Sequence, residues 1–139
     1  MDTFQLRIVT PNRDYMTKDV QSITVTSTNA GQMTLYAHHA DLIANLDISP
    51  LEIHFNGHKY FYALSGGVLH VRNRQNTITL IVNAIESIDE IDLERAKESK
   101  IRAEKILTEN KSPKEAIELE RQIKRAINRI KVKTDYKNI

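Results

Sequence analysis

Apolar side chains recur at every second position through the first part of the chain and at every third or fourth position through the last third. Phe4, Leu6 and Ile8 alternate with polar neighbours until Thr10-Pro11-Asn12 breaks the run. Val20, Ile23 and Val25 form a second short segment and Met33 to Tyr36 a third, with Gly31 between them. Leu51, Ile53 and Phe55 alternate up to Asn56-Gly57, and a new run leaves from His58 to Leu64. Asn-Gly supplies the two positive-φ residues of a tight type I′ turn, so this stretch predicts a β-hairpin. Gly66-Gly67 then punctuates the chain, followed by Val68 to Val71, a turn around Arg74 to Asn76, and Thr77 to Val82. Many short strands with regular turns predict an all-β sandwich or flattened barrel. No helical crossover alternates with them, which argues against a doubly wound sheet.

Beyond position 88 the period changes. Leu93, Ala96, Ala103 and Leu107 share one stripe, with Lys100 in the heptad position between them. Asn110-Lys111-Ser112-Pro113 ends that helix and starts another: Ser112 is the expected N-cap, Pro113 the first helical residue and Glu115 the partner of a capping box. Ala116, Leu119, Ile123, Ala126 and Ile130 continue at helical spacing. Two amphipathic helices joined by a few residues predict an antiparallel hairpin. Its alanine-rich stripes bury little area, so the pair is expected to be weak alone and held by docking on something else.

Composition supports two modules, 1–88 and 89–139. The first carries six Lys/Arg against seven Asp/Glu and the second fourteen against eleven. All four glycines, all five histidines and seven of the eight Phe/Tyr residues lie in the first. No apolar run approaches the ~20 residues of a membrane helix, and the N-terminal stretch has Asp2 where a signal peptide carries positive charge, so a cytosolic location is expected. The absence of cysteine excludes disulfides, thiolate metal sites and a cysteine nucleophile.

Catalytic constellations are missing. His38 and His39 are adjacent and do not converge on a strand or a helix, and His54 and His58, expected close together across the hairpin, lack a carboxylate partner in sequence. Ser65-Gly66-Gly67 is not a nucleophile elbow, and no phosphate-binding glycine loop occurs. Two features remain. Arg121, Lys124, Arg125, Arg129, Lys131 and Lys133 crowd the second half of the last helix, while Glu115, Glu118 and Glu120 occupy its start. Macrodipole complementation accounts for such a gradient. Arg125 and Arg129, four apart, also suit an acidic segment or a polyphosphate. The slightly acidic first module offers no basic aromatic face for nucleic acid. At the junction, Asp92 is placed to cap the first helix and Arg95 lies one turn in, an arrangement also suited to reading a nucleotide.

In order along the chain, Ile8-Val9-Thr10-Pro11, Gly31 through His39-Ala40, Leu42-Ile43-Ala44, Ser65-Gly66-Gly67-Val68-Leu69, Ile91-Asp92-Leu93-Glu94-Arg95-Ala96 and Arg125-Ala126-Ile127-Asn128-Arg129 resemble the epsilon subunit of bacterial F-type ATP synthase. The resemblance implies a non-catalytic central-stalk subunit, peripheral on the cytoplasmic face of the bacterial inner membrane, helping to couple proton or sodium flow to ATP synthesis. It implies that the sandwich binds the gamma subunit and rests on the c-ring through the loop of Gln32, His38 and His39, where many relatives carry an acid in place of Gln32. It implies further that the helices either fold on the sandwich or extend along gamma. Extended, Arg121, Lys124, Arg125 and Arg129 would meet an acidic segment of the beta subunit and inhibit ATP hydrolysis. Ile91, Asp92, Arg95 and Ala96 match an ATP-binding motif of some relatives, with Glu86, Arg102, Arg125 and Arg129 as its accompaniments. No cofactor is required on this reading, and ATP is a regulatory ligand. The competing reading is a stand-alone ATP-sensing module.

Overall fold

In the computed structural model, which describes residues 2–109 and 111–139, eight strands precede two helices. The strands are β1 (Phe4–Val9), β2 (Asp14–Val20), β3 (Ser22–Ser27), β4 (Gly31–Tyr36), β5 (Leu42–Phe55), β6 (His58–Arg72), β7 (Thr77–Val82) and β8 (Ile85–Ser87). The helices are α1 (Leu93–Leu107) and α2 (Pro113–Asp135). Asn110, one residue of the predicted helix-ending stretch, lies outside the described residues.

The strands hydrogen-bond in the order β2-β1-β7-β6-β5-β3-β4, with β8 added beside β6. Only β1 and β7 run parallel. Phe4, Leu6 and Ile8 of β1 nevertheless share one buried cluster with Ile23 and Val25 of β3, four places away in that order. The sheet must therefore fold over on itself, and the apolar positions of its two layers meet inside as a sandwich. Period-two alternation produces this directly: in β1 the odd-facing Gln5 and Arg7 are exposed while Phe4, Leu6 and Ile8 are buried.

Several segments differ from the sequence expectation. The Asn56-Gly57 turn forms as predicted, with φ of 52° and 79° and Phe55 paired with His58. Its outgoing strand does not stop at Gly66-Gly67, however; β6 continues through both glycines to Arg72. The pair marks a change of neighbour. β8 lies beside Tyr62–Leu64 and β7 beside Gly67–Arg72, so the backbone bends between two partners. Gly66 has φ 85° and Gly67 φ 155°. A Cβ on Gly67 would stand 2.2 Å from the Ile81 carbonyl oxygen. β5 is likewise one strand of 14 residues, and Pro50 sits where its ladder with β3 is interrupted between Thr24 and Ser27. β2 was hidden because it is an edge strand whose Tyr15 and Met16 are only half-buried and whose other residues before Val20 are exposed. Consequently Val20 belongs to β2 and Ile23 and Val25 to β3, not to one segment.

Both helix starts are capped as the sequence predicts. The Asp92 side chain accepts from the Arg95 N–H at 3.1 Å, and Ser112 Oγ accepts from the Glu115 N–H at 3.2 Å while donating to Glu115 Oε1. Ala96 and Ala103 are buried against α2, and α2 in turn packs on β5 and β6. Lys100 is half-buried on the α1 stripe with its ammonium turned to Glu104.

Gly67→Ala should destabilise the fold by about 3 kcal/mol, since backbone rather than a flexible side chain occupies the Cβ position. Gly57→Ala, with open space around it, should cost only ~1 kcal/mol through its positive φ. Urea melts of the two variants measure the difference.

Candidate functional site

Three pieces of chain converge where the sandwich meets the helices. β8 brings Glu86, the connection 88–92 brings Glu90 and Asp92, and the first turns of α1 bring Arg95, Ala96, Glu98, Ser99 and Arg102. Together with Ala84, Glu94 and Arg129 of α2 they line an open cavity of about 880 Å³. That is within the size range of small-molecule sites. Helical geometry explains the lining. Arg95, Ser99 and Arg102 are spaced four and three apart, one row along α1, with Ala96 of the adjacent buried row at the cavity's edge.

The charges of the cavity are unequally committed. Arg129 Nε donates to Glu86 Oε1, bridging α2 to β8. Asp92 is spent on the N-cap. Glu90 accepts from the Tyr15 hydroxyl at 2.6 Å and from the Ser87 N–H at 3.0 Å, with Arg13 at 3.9 Å. These contacts hold the Glu90 carboxyl below its ordinary range, the Tyr15 hydrogen bond being the largest cause. Burial and the same hydrogen bond push the Tyr15 hydroxyl well above its usual value, so it stays a donor. Arg95 and Arg102 carry no ion pair among the described residues. These two guanidiniums lie on one helix row and share the cavity wall with the carboxylates of Glu86, Glu90, Asp92, Glu94 and Glu98.

Two of the residues grouped with this site in sequence stand elsewhere. Ile91 is buried with Phe61, Ala63 and Val132, so it sets the position of Asp92 and does not line the cavity. Arg125 lies one helical turn from Arg129 and pairs with Glu118 of its own helix. Of the other basic residues, Lys124 reaches Asp47 on β5 at 2.7 Å, Lys133 donates to the Ile88 carbonyl at 2.8 Å, and Arg121 is exposed without an ion pair among the described residues. Tyr15 and Glu90, absent from the sequence reading, have no local pattern to reveal them: 75 positions separate the two.

Gln32 is exposed on β4, and in the loop between β4 and β5 His38 sits at φ 63°. Asn73 Nδ2 donates to the carbonyls of both His38 and His39, and Asn76 Oδ1 accepts from the His38 N–H. Two asparagines of the β6–β7 turn thus fix that loop. His38 lies 3.6 Å from Asp2, while His39 Nδ1 is 2.7 Å from the Ala40 oxygen, so the two imidazoles do not converge. His54 pairs with Lys59 and His58 with Phe55, which puts them on opposite faces of the hairpin rather than together. No group of three His, Cys, Asp or Glu among the described residues is arranged to hold a metal.

Comparison with known proteins follows the same division of the chain. The family described as ATP synthase, Delta/Epsilon chain, beta-sandwich domain matches residues 3–88, and ATP synthase, Delta/Epsilon chain, long alpha-helix domain matches residues 89–134. The ATP synthase epsilon chain of Ruminococcus albus is 36% identical over 132 residues, covering 95% of this chain and 97% of the relative. That of Bacillus pumilus is 35% identical, covering 95% and 98%. Among solved structures, a chain of the Euglena gracilis mitochondrial ATP synthase assembly of OSCP, F1 and c-ring superimposes with a TM-score of 0.77 at 22% identity, covering 91% of this chain and 78% of that one. A chain from the Tetrahymena thermophila central stalk and c-ring gives 0.69 at 17%, covering 96% and 98%. No helix among the described residues is long and apolar enough to cross a membrane.

The Glu90 node makes a pH prediction. Its carboxyl is depressed in the folded state, so the stabilisation it brings is full above the unfolded value of 4.5 and is lost as pH falls through the lower folded value. Thermal midpoints measured from neutral pH to about pH 3 should therefore fall less steeply below 4.5 in Glu90→Gln than in the parent chain.

Proposed function

Because this chain belongs to the family of ATP synthase delta/epsilon chains, we propose that it serves as a central-stalk subunit whose sandwich anchors it to the gamma subunit and the c-ring, and whose helices regulate ATP hydrolysis. The relatives it resembles are subunits of a complex, and the chain's own contribution is binding and switching rather than catalysis. The observation that carries the regulatory half is the engagement of the basic face of α2. Lys124 is held by Asp47 and Arg129 by Glu86 when the helices lie on the sandwich. A side chain bound there is not available to an acidic segment of the beta subunit. The folded arrangement is accordingly the permissive one, and release of α2 frees Lys124 and Arg129.

Two features support ATP as the ligand of the cavity at the joint. The volume suffices, and Arg95 and Arg102 have guanidiniums without an ion pair among the described residues, while Arg129 of α2, paired with Glu86, lines the same cavity. A ligand touching β8, the connection, α1 and α2 together binds only when the four are assembled. Its differential affinity then favours the folded helices. This reading places the chain peripherally on the cytoplasmic face of the membrane that holds the ring.

Calorimetry with ATP on the isolated chain should give saturable heat that Arg95→Ala abolishes; no heat at millimolar ATP, with the variant behaving identically, would remove ATP from the scheme. In the reconstituted complex, ending the chain after Ile88 should raise ATPase activity, and unchanged activity would remove the inhibitory role. A tagged chain should co-purify with gamma and beta; recovery of the chain without any ATP synthase subunit would favour the stand-alone sensor.

A further inference from the structure

Past Asp135 the chain leaves α2 in an extended conformation and turns along β6. Lys59 and Ile139 exchange both backbone hydrogen bonds at 2.8 Å, the pattern of a hydrogen-bonded antiparallel pair. Asn138 Oδ1 accepts from the Phe61 N–H at 2.9 Å. Between these polar contacts the Tyr136 and Phe61 rings stack, with centroids 4.6 Å apart and planes 14° off parallel. β5 covers one edge of β6 along its length, and the other edge is shared out: β7 beside Gly67–Arg72, β8 beside Tyr62–Leu64, and this segment beside Lys59 and Phe61.

We propose that residues 136–139 are a detachable strap that holds α2 on the sandwich and sets how often the helices are released. Two observations separate a strap from ordinary packing. Phe61, Ala63, Ile91 and Val132 form a cluster of their own, distinct from the core that runs from Phe4 to Ile85. The α2 seam therefore opens without disturbing the sandwich interior. The remaining tethers of α2 are few: the partly exposed ion pairs Lys124–Asp47 and Arg129–Glu86, which contribute little each, the hydrogen bonds of Lys133 to the Ile88 carbonyl and Asn128 to the Leu64 carbonyl, and the buried Val132. A strap that adds a stacked aromatic pair and three hydrogen bonds contributes on the same scale as these. Its release uncovers one face of the Phe61 ring and frees the Lys59 N–H and carbonyl and the Phe61 N–H on a strand edge, which water satisfies. Asn138 and Ile139 are exposed, so the strap is reachable from outside.

The chain has no native cysteine, so two labels report the distance between modules without background. Thr17→Cys on β2 and Gln122→Cys on α2 are both at exposed positions. Spin-label distance measurements on the full chain should give one dominant separation. Tyr136→Ala and Asn138→Ala, each in the full chain, and a chain ending at Asp135 should all add a second, longer separation, with the open fraction rising at least tenfold on loss of the whole strap. Amide exchange at Lys59 and Phe61 should accelerate in parallel, while exchange at Leu69 and Leu80 in the sandwich core stays slow. If the shortened chain loses the sandwich as well, judged by those core amides, residues 136–139 are integral to the fold and the strap is overturned. An unchanged single separation in the two point variants and the shortened chain overturns it equally. The proposal concerns the isolated chain, so it stands or falls apart from ATP binding and from inhibition.

Discussion

The closure of α2 on the sandwich governs every other relationship between the two modules. α1 has an alanine seam, Ala96 and Ala103 against Ala126, and alanine contacts bring helices close while removing little apolar surface from water. The hairpin cannot hold its position by its own packing. What fixes it is a second face of α2, where Val132 is fully buried among Phe61, Ala63 and Ile91 and Asn128 donates to the Leu64 carbonyl at 3.1 Å. Burying one valine contributes roughly 1.5–3 kcal/mol, and a net hydrogen bond about 1. Such a seam is strong enough to define an orientation and weak enough to be opened by a partner of moderate affinity.

The cavity inherits its existence from this seam. Glu86 and Arg129 come from elements on either side of it, so their ion pair and the enclosure between them are absent unless α2 is docked. The node of Tyr15, Glu90, Ser87 and Arg13 adds a second constraint from below, tying the connection to the edge strand β2. Asp92 and Arg95 are thereby presented at a defined place relative to the sheet. On the proposed function, positive charge on α2 has two incompatible uses, facing Asp47 and Glu86 or facing an external acid, and that mutual exclusion would be the physical content of the switch.

The sequence carried the large features because they depend on local periodicity. Alternation at Phe4, Leu6 and Ile8, the Asn56-Gly57 turn, and the caps at Asp92 and Ser112 each involve residues within a few positions of one another. What escaped was set by distant partners. Gly66-Gly67 looks like a turn until β7 and β8 are known to flank one continuous strand. β2 lacks a buried face to enforce a pattern. In the site, the arginines were visible as a motif, but Arg125 and Arg129 differ by one turn on α2 and only the latter meets β8. Asn128 and Val132, off the predicted apolar stripe, were the available hint of a second buried face.

The connection between β8 and α1 is five residues, 88–92, and a chain of that length spans at most ~17 Å. Whatever the helices do, the start of α1 stays within that radius of Ser87. Because the hairpin is antiparallel, the end of α2 and its strap lie at the same end, beside the pivot. The far tip of α1, 15 residues or ~22 Å away, sweeps the widest arc. The proposed ligand and strap would therefore act on the short arm of a lever, where sub-nanometre changes beside Glu86 become displacements of the tip several times larger.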